Sequence, residues 1–141
     1  MRSLPYTVVT KPTGAACNLD CTYCFFLSKE LLYDHGSQMM STETLETYLK
    51  AYLEGQPDGP VTVIWQGGEP TLRGLDFYRL AVELTEKYRR PTQQVSHSMQ
   101  TNGTLLNDEW CEFLKENNFL VGISIDGPKD IHDSFRVNKA G

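Results

Sequence analysis

The chain has 141 residues, of which 40% are hydrophobic and 22% charged, and this composition predicts a folded globular domain rather than a disordered segment. Its formal net charge of -5, with no basic cluster larger than that at 87–90, argues against a nucleic-acid partner. Because the sequence has neither a signal-peptide pattern nor an apolar run near the roughly 18 residues of a membrane span, we expect a cytoplasmic protein with no membrane partner.

Two strands and one helix are predicted in the first half of the chain. Residues 6–11 are β-branched and aromatic, which predicts a strand, and residues 27–40 show no regular pattern. Ser41 is a candidate N-cap of a helix that ends at Gly55. Apolar residues recur every three or four positions along this helix and predict one buried face: Leu45, Tyr48, Leu49, Tyr52 and Leu53. The nearly all-apolar residues 61–65 predict a second strand that is covered on both faces.

The second half of the chain continues the alternation of strands and helices. Residues 75–89 predict a helix and residues 95–101 a third strand. Asn107 is a candidate N-cap of a third helix. Residues 120–126 alternate between apolar and polar side chains, which predicts a fourth strand, and residues 131–141 predict the start of a fourth helix.

This order predicts an α/β fold with about four parallel strands and three to four helices, either an open sheet or part of a TIM-like barrel. A fourth strand at an uncovered edge favours pairing with a further strand. We therefore expect residues 1–141 to form one incomplete domain, the N-terminal fragment of a longer protein.

Three of the four cysteines form a C-x3-C-x2-C motif at Cys17, Cys21 and Cys24. In a reducing compartment, clustered thiols favour metal ligation over disulfides. Three ligands suit an iron-sulfur cluster with one open iron, whereas structural zinc needs a fourth ligand. Two alternatives stay open: a buried helical stripe of cysteines, and a zinc site completed by a further side chain. The candidates for that fourth ligand are Cys111, His35, His97 and His132, although Cys111 fits better as an ordinary residue of the third helix.

Polar or glycine-rich residues follow each predicted strand, at the edge where α/β sheets bind ligands. The second strand leads into Gly67, Gly68 and Glu69, whose open backbone and carboxylate suit an ammonium group better than a phosphate. The sequence has no G-x-G-x-x-G or Walker pattern, which argues against a dinucleotide or ATP. Alternate residues of the third and fourth strands are polar, so we expect this face to look into the barrel. Taken singly, these polar residues could also form an interior hydrogen-bond network without a catalytic purpose.

Together these motifs resemble the radical S-adenosylmethionine (SAM) superfamily, and most narrowly its anaerobic sulfatase-maturating enzymes. The resemblance is carried by CNLDCTYCFF at 17–26, WQGGEPTL at 65–72, QTNGTLL at 100–106 and VGISIDGP at 121–128. It implies the N-terminal portion of a partial (β/α)6 TIM-like barrel of the radical SAM type. It also implies that the catalytic base, and a cysteine-rich domain with two auxiliary 4Fe-4S clusters, lie beyond residue 141. No catalytic residue is therefore assigned within this chain.

The resemblance further implies roles for individual residues. Cys17, Cys21 and Cys24 would bind a 4Fe-4S cluster whose open iron chelates the amino and carboxylate groups of SAM. Contacts to SAM are implied for Tyr23, Gly67, Gly68, Glu69, Ser124 and Arg136. The SAM and substrate cavity would also be lined by Gln66, Gln100 and Asn102.

A member of this family would cleave SAM reductively and oxidise a cysteine or serine of a sulfatase to formylglycine. Its implied partners are an unfolded or nascent sulfatase and an electron donor such as a flavodoxin or a ferredoxin. The alternatives are another radical SAM maturase that forms thioether or carbon-carbon crosslinks, and a non-catalytic zinc-binding or electron-transfer module. If the protein truly ends at residue 141, we expect no maturation activity and poor stability.

Overall fold

The computed structural model describes residues 4–26 and 38–139, in which strands and helices alternate along the chain. The elements are β1 (Val9–Thr10), α1 (Thr42–Gly55), β2 (Gly59–Trp65), α2 (Leu75–Tyr88), β3 (Gln93–Thr101), α3 (Asp108–Glu116), β4 (Leu120–Ile123) and α4 (Lys129–Phe135). A short 3-10 helix, Pro70–Arg73, lies between β2 and α2. Most of the segment predicted to be irregular, at 27–37, lies outside the described residues.

The four strands form one parallel sheet in the order β1-β2-β3-β4. Each strand pairs with the next strand along the chain, and a helix occurs in each connection, as in a barrel-forming β/α array. The predicted parallel α/β arrangement is confirmed. The carboxyl ends of the strands consequently lie along one edge of the sheet.

The hydrophobic core lies between the sheet and one layer of helices. Odd-numbered side chains of β2 and β3 belong to it, including the fully buried Trp65, whose Nε1 donates to His97 Nδ1 at 3.1 Å. The core contains Leu45, Leu49, Tyr52, Leu53, Val61, Val63, Trp65, Phe77, Tyr78, Ala81, Leu84, Met99, Trp110, Phe113 and Leu114. The predicted apolar face of α1 is thus confirmed, with Tyr48 half-buried at its margin.

The opposite face of the sheet carries the predicted polar residues. Thr62 of β2 pairs with Ser96 of β3, and their hydroxyls lie 3.3 Å apart. Gln100 pairs with Gly122 of β4 on the same face. Ile64, on this side of β2, is only half-buried, so in the part of the chain described here the helices cover one face of β2 rather than both.

The predicted helix starts are confirmed by their capping bonds. The Ser41 hydroxyl accepts from the Thr44 N–H at 3.1 Å, and Asn107 Oδ1 accepts from the Trp110 N–H at 3.0 Å. Within the described ranges, no helix combines the length and the apolar character needed to cross a bilayer.

Two strands are shorter than predicted. β1 pairs over two residues only, because the Tyr6 carbonyl accepts from Gln56 Nε2 at 2.6 Å instead of from a neighbouring strand. β4 ends after four residues. The Ser124 N–H still donates to the Thr101 carbonyl at 2.9 Å, after which the chain turns towards α4.

Candidate functional site

The structure brings all the predicted site residues to one cavity at the carboxyl ends of the strands. Its lining includes Cys17, Cys21, Tyr23, Cys24, Gln66, Gly67, Gly68, Glu69, Gln100, Asn102, Ser124 and Arg136. The remaining lining residues are Leu19, Phe25, Phe26 and Thr101. Segments far apart in the sequence therefore meet at the edge where parallel α/β sheets bind ligands.

The three clustered cysteines lie on an irregular loop that follows β1. Their thiols are free; Cys21 is buried, and Cys17 and Cys24 are half-buried. Because this loop is not helical, the alternative of a buried helical stripe of cysteines is wrong.

Backbone hydrogen bonds hold the cysteine loop from two sides. On one side, the carbonyls of Gly14 and Ala16 accept from the turn that follows β2, at 3.0 and 2.8 Å. On the other side, the Asp20 N–H donates to the Val137 carbonyl at 2.8 Å, beyond α4. The positions of the thiols are therefore set by contacts distant in sequence, not by the loop alone.

The glycines after β2 allow the turn to approach this loop. Gly67 has a φ of +121°, which favours glycine. A Cβ on Gly68 would lie 2.0 Å from the Ala16 carbonyl oxygen. Gly68 must therefore be glycine because it packs against the protein's own backbone. The contacts to SAM that were predicted for Gly67 and Gly68 stay predictions.

Glu69 is buried and its carboxylate is held by protein donors. Oε1 accepts from the N–H and hydroxyl of Thr71 at 3.0 and 2.6 Å, and from the Thr101 hydroxyl at 2.7 Å. Oε2 accepts from the Asn102 N–H at 2.7 Å. Glu69 therefore joins the turn after β2 to the end of β3, and it places a buried negative charge beside the cysteine loop.

Asp126 connects two of the predicted SAM-contacting residues, although the sequence motifs imply no such role for it. It accepts from Arg136 Nε and Nη2, each at 2.9 Å, and from the Tyr23 hydroxyl at 2.5 Å. The Arg136 guanidinium holds the pKa of Asp126 below its usual range, and the Tyr23 hydroxyl adds to this effect. Its position in the sequence, two residues after Ser124 on the polar face of the predicted fourth strand, is the signal that could have identified Asp126 as a site residue.

Gln100 and Ser124 join the ends of β3 and β4. Gln100 Nε2 donates to the Ser124 hydroxyl oxygen at 2.9 Å. Their contact supports the predicted polar face of these strands, and both side chains line the cavity. They offer hydrogen-bonding groups to a ligand held above the sheet edge.

Burial raises the pKa of the Cys17 thiol above its ordinary value; the Leu19 N–H lowers it in part, and the Glu69 charge raises it further. Burial also raises the pKa of the Cys21 thiol, and the positive charge of Arg136 opposes that rise. These thiols are protonated near neutral pH, so a metal that binds them must displace protons.

The zinc alternative finds no ready-made site in the described part of the chain. Within 4–26 and 38–139, no group of three or more His, Cys, Asp or Glu side chains is arranged to hold a metal ion. Cys111 is exposed on α3, His97 is buried on the helix side of β3, and neither lines the cavity. His132 Nδ1 accepts from a backbone N–H at 3.4 Å, and His35 lies outside the described residues.

The fold and the cavity define a β/α protein with a three-thiol site at the carboxyl ends of its strands. The family model of the Radical SAM superfamily matches residues 12–140. The chain therefore belongs to the radical SAM superfamily.

Among curated proteins, the chain is similar to the serine-type anaerobic sulfatase-maturating enzyme of Bacteroides thetaiotaomicron, with 49% identity over 138 residues. It is 46% identical over 147 residues to the cysteine-type enzyme of Clostridium novyi. These alignments cover 97% and 100% of this chain, but 33% and 38% of the two relatives. The chain thus spans about a third of the length of the curated relatives it matches.

Solved structures show the same fold. Native anSMEcpe with bound AdoMet and Cp18Cys peptide is similar with a TM-score of 0.84 at 40% identity. Native anSMEcpe with bound AdoMet and Kp18Cys peptide gives a TM-score of 0.85 at 40% identity. Each comparison covers 97% of this chain and 36% of the solved chain. The predicted radical SAM type of fold is confirmed.

Proposed function

We propose that the chain forms the cofactor-binding part of an anaerobic sulfatase-maturating enzyme. In this proposal Cys17, Cys21 and Cys24 bind a 4Fe-4S cluster, and SAM binds beside it. The whole protein oxidises a cysteine or serine of a sulfatase to formylglycine. The observation that carries the proposal is the cavity in which three free thiols meet the glycine turn and the ends of β3 and β4. Similarity to both serine-type and cysteine-type enzymes supports the substrate class.

The donor set fits the cluster. Thiolates are soft ligands that favour iron-sulfur clusters, and three of them leave one iron open to a small molecule. Ligands of a cluster bind different irons, so they need not converge on one point as the ligands of a single zinc ion do. When bound, the cluster and SAM supply one-electron reduction and abstraction of a hydrogen from the substrate.

In this proposal, residues of the chain bind SAM, orient it and exclude water from the cavity. Arg136 is held by Asp126, and the pair is partly buried, with side-chain exposures of 14% and 23%. Its fixed positive charge suits the carboxylate of SAM. Gln100 and Ser124 offer hydrogen bonds that orient the cofactor. The buried Phe26 keeps water from one wall of the cavity.

The proposed partners are a sulfatase segment in an unfolded or nascent state and a flavodoxin or ferredoxin as electron donor. The peptide and AdoMet bound in native anSMEcpe support a peptide substrate and SAM as cofactor. We assign the protein to the cytoplasm, where thiols stay reduced. The remaining barrel, the catalytic base and two auxiliary clusters belong, in this proposal, to a full-length protein.

The test is anaerobic reconstitution of the full-length protein with iron and sulfide, followed by SAM, a reductant and a sulfatase peptide containing the target cysteine or serine. We expect 5′-deoxyadenosine, and formylglycine in the peptide by mass spectrometry. Cys21→Ala should abolish both products, because the cluster loses one of three ligands. Cys111→Ser removes one thiol from the exposed surface of α3 and should keep both.

Three outcomes would contradict the proposal. Uptake of zinc without iron or sulfide would show that the protein does not bind an iron-sulfur cluster. Unchanged 5′-deoxyadenosine production by Cys21→Ala would show that the motif does not bind the cluster. A crosslinked peptide in place of formylglycine would identify another maturase of the same superfamily.

A further inference from the structure

A side-chain amide reaches the sulfur of Cys17. Asn102 Nδ2 lies 3.8 Å from Cys17 Sγ and donates to Asn18 Oδ1 at 2.9 Å. The Leu19 N–H also donates to Cys17 Sγ, at 3.4 Å. The sulfur of Cys17 thus receives one backbone and one side-chain N–H donor.

Thr104 fixes the orientation of the Asn102 amide. The Thr104 N–H and hydroxyl both donate to Asn102 Oδ1, at 3.0 and 2.8 Å. A backbone N–H can only donate, so the amide atom that faces it is the oxygen and the atom that faces Cys17 is the NH2. Asn18 closes the ring, since its Nδ2 donates to the Thr104 hydroxyl oxygen at 2.8 Å.

The backbone of Asn102 is held as firmly as its side chain. Its N–H donates to Oε2 of the buried Glu69 at 2.7 Å. The backbone of Asn102 is therefore fixed next to the end of β3 by one bond. Its side-chain amide is held by two bonds to Cys17 and Asn18 of the cysteine loop and by two from Thr104. A group held in this way keeps its donor in place when the charge on its acceptor changes.

We propose that Asn102 is a positioning residue that sets the reduction potential of the cluster through its N–H···S hydrogen bond to Cys17. This inference rests on the proposed function, because it requires the cluster to be bound by Cys17. It goes beyond the sequence-based interpretation, which placed Asn102 in the lining of the SAM and substrate cavity, where its side chain also lies.

Hydrogen bonds to ligand sulfurs favour the reduced, more negatively charged cluster and raise its potential. The negative charge of Glu69 acts in the opposite direction, because it repels an added electron. Asn102 and Glu69 touch each other and act on the same cysteine. The two residues therefore shift the potential of a cluster bound by Cys17 in opposite directions.

The test is an EPR-monitored redox titration of the full-length reconstituted protein before SAM is added. The signal that is followed belongs to the cluster whose spectrum changes when SAM is added afterwards, which separates it from the two auxiliary clusters of the proposed full-length protein. Asn102→Leu removes the donor at nearly constant volume, and the midpoint potential should become more negative. Asn102→Asp keeps the oxygen that faces Thr104 but replaces the donor with a second carboxylate oxygen, and it should shift the midpoint further in the same direction.

Asn117→Leu is the matched control. It makes the same Asn-to-Leu change, but the Asn117 amide donates to the Phe113 carbonyl at 2.8 Å at the end of α3 rather than to a cysteine sulfur. Its midpoint potential should equal that of the wild-type protein. If Asn102→Leu does not load iron, Asn102→Asp carries the test.

An unchanged midpoint in the Asn102 variants that load iron overturns the inference and leaves the proposed function intact. An equal shift in Asn117→Leu also overturns it, because the effect would then not depend on the bond to Cys17. A wild-type protein that assembles no iron-sulfur cluster overturns the proposed function, and this inference with it.

Discussion

Gly68 is a position at which one added methyl group should disturb the cysteine loop. A Cβ there would lie 2.0 Å from the carbonyl oxygen of Ala16 and 2.6 Å from that of Ala15. Ordinary van der Waals contact begins at 3.4 Å, so the turn and the loop must separate by about 1.4 Å (3.4 minus 2.0) in Gly68→Ala. Backbone atoms lie on both sides of this contact, and no flexible side chain can give way.

A separation of this size breaks the two backbone hydrogen bonds that Gly14 and Ala16 accept from the turn. Each such bond contributes about 0.5–1.5 kcal/mol net, so the free energy of unfolding should fall by about 1–3 kcal/mol. Cys17 directly follows Ala16 and moves with it. We therefore expect Gly68→Ala to lose cluster loading as well as stability.

The assay combines urea denaturation of the cluster-free protein with iron and sulfide content after anaerobic reconstitution. Gly74→Ala serves as the control. Its φ of +84° strains an alanine, but beyond the neighbouring residues in the chain no heavy atom lies within 4 Å of the added methyl. It should lower stability and leave iron loading unchanged. Wild-type stability and iron content in Gly68→Ala would refute the reasoning.

Lowering the pH should destabilise the protein through His97, because burial lowers its pKa from 6.5 to about 4. In the unfolded chain His97 binds a proton as the pH falls below 6.5, whereas in the folded chain it does so only near pH 4. The free energy of unfolding therefore falls by about 3 kcal/mol between pH 7 and pH 4. His97→Gln should remove this part of the pH dependence of urea denaturation, and an unchanged dependence would contradict it. Asp126→Asn removes the charge that holds Arg136, and it should weaken SAM binding about tenfold. Equilibrium dialysis of the reconstituted protein would measure this effect at constant iron content; an unchanged affinity would show that Arg136 needs no such support.

Local signals in the sequence predicted much of the fold. The caps at Ser41 and Asn107 and the apolar face of α1 depend on residues three or four positions apart, and the structure shows them as predicted. The length of β1 depends on a different element. Tyr6 is an aromatic residue with a high strand propensity, but its carbonyl accepts from Gln56 Nε2 at the end of α1.

The candidate site was predicted as a set of residues, while their mutual contacts were not. Strand order and the carboxyl-edge rule bring the cysteines and the glycine turn together. The same reasoning could not show that Gly68 packs against Ala16, or that Asp126 pairs with Arg136. Such contacts depend on the distance between loops in three dimensions, for which a single sequence carries no periodic signal.

The contacts that hold the cysteine loop also impose an order on biosynthesis. The N–H groups of Asp20 and Thr22 donate to the carbonyls of Val137 and Phe135, at 2.8 and 3.0 Å. On the ribosome the three thiols emerge early, but the loop gains these bonds only after α4 has been translated. In the proposed function, insertion of the cluster into the fully positioned site therefore follows translation of that helix. Until then the loop is held from one side only, by the turn after β2, and its thiols are open to oxidation and to competing soft metals.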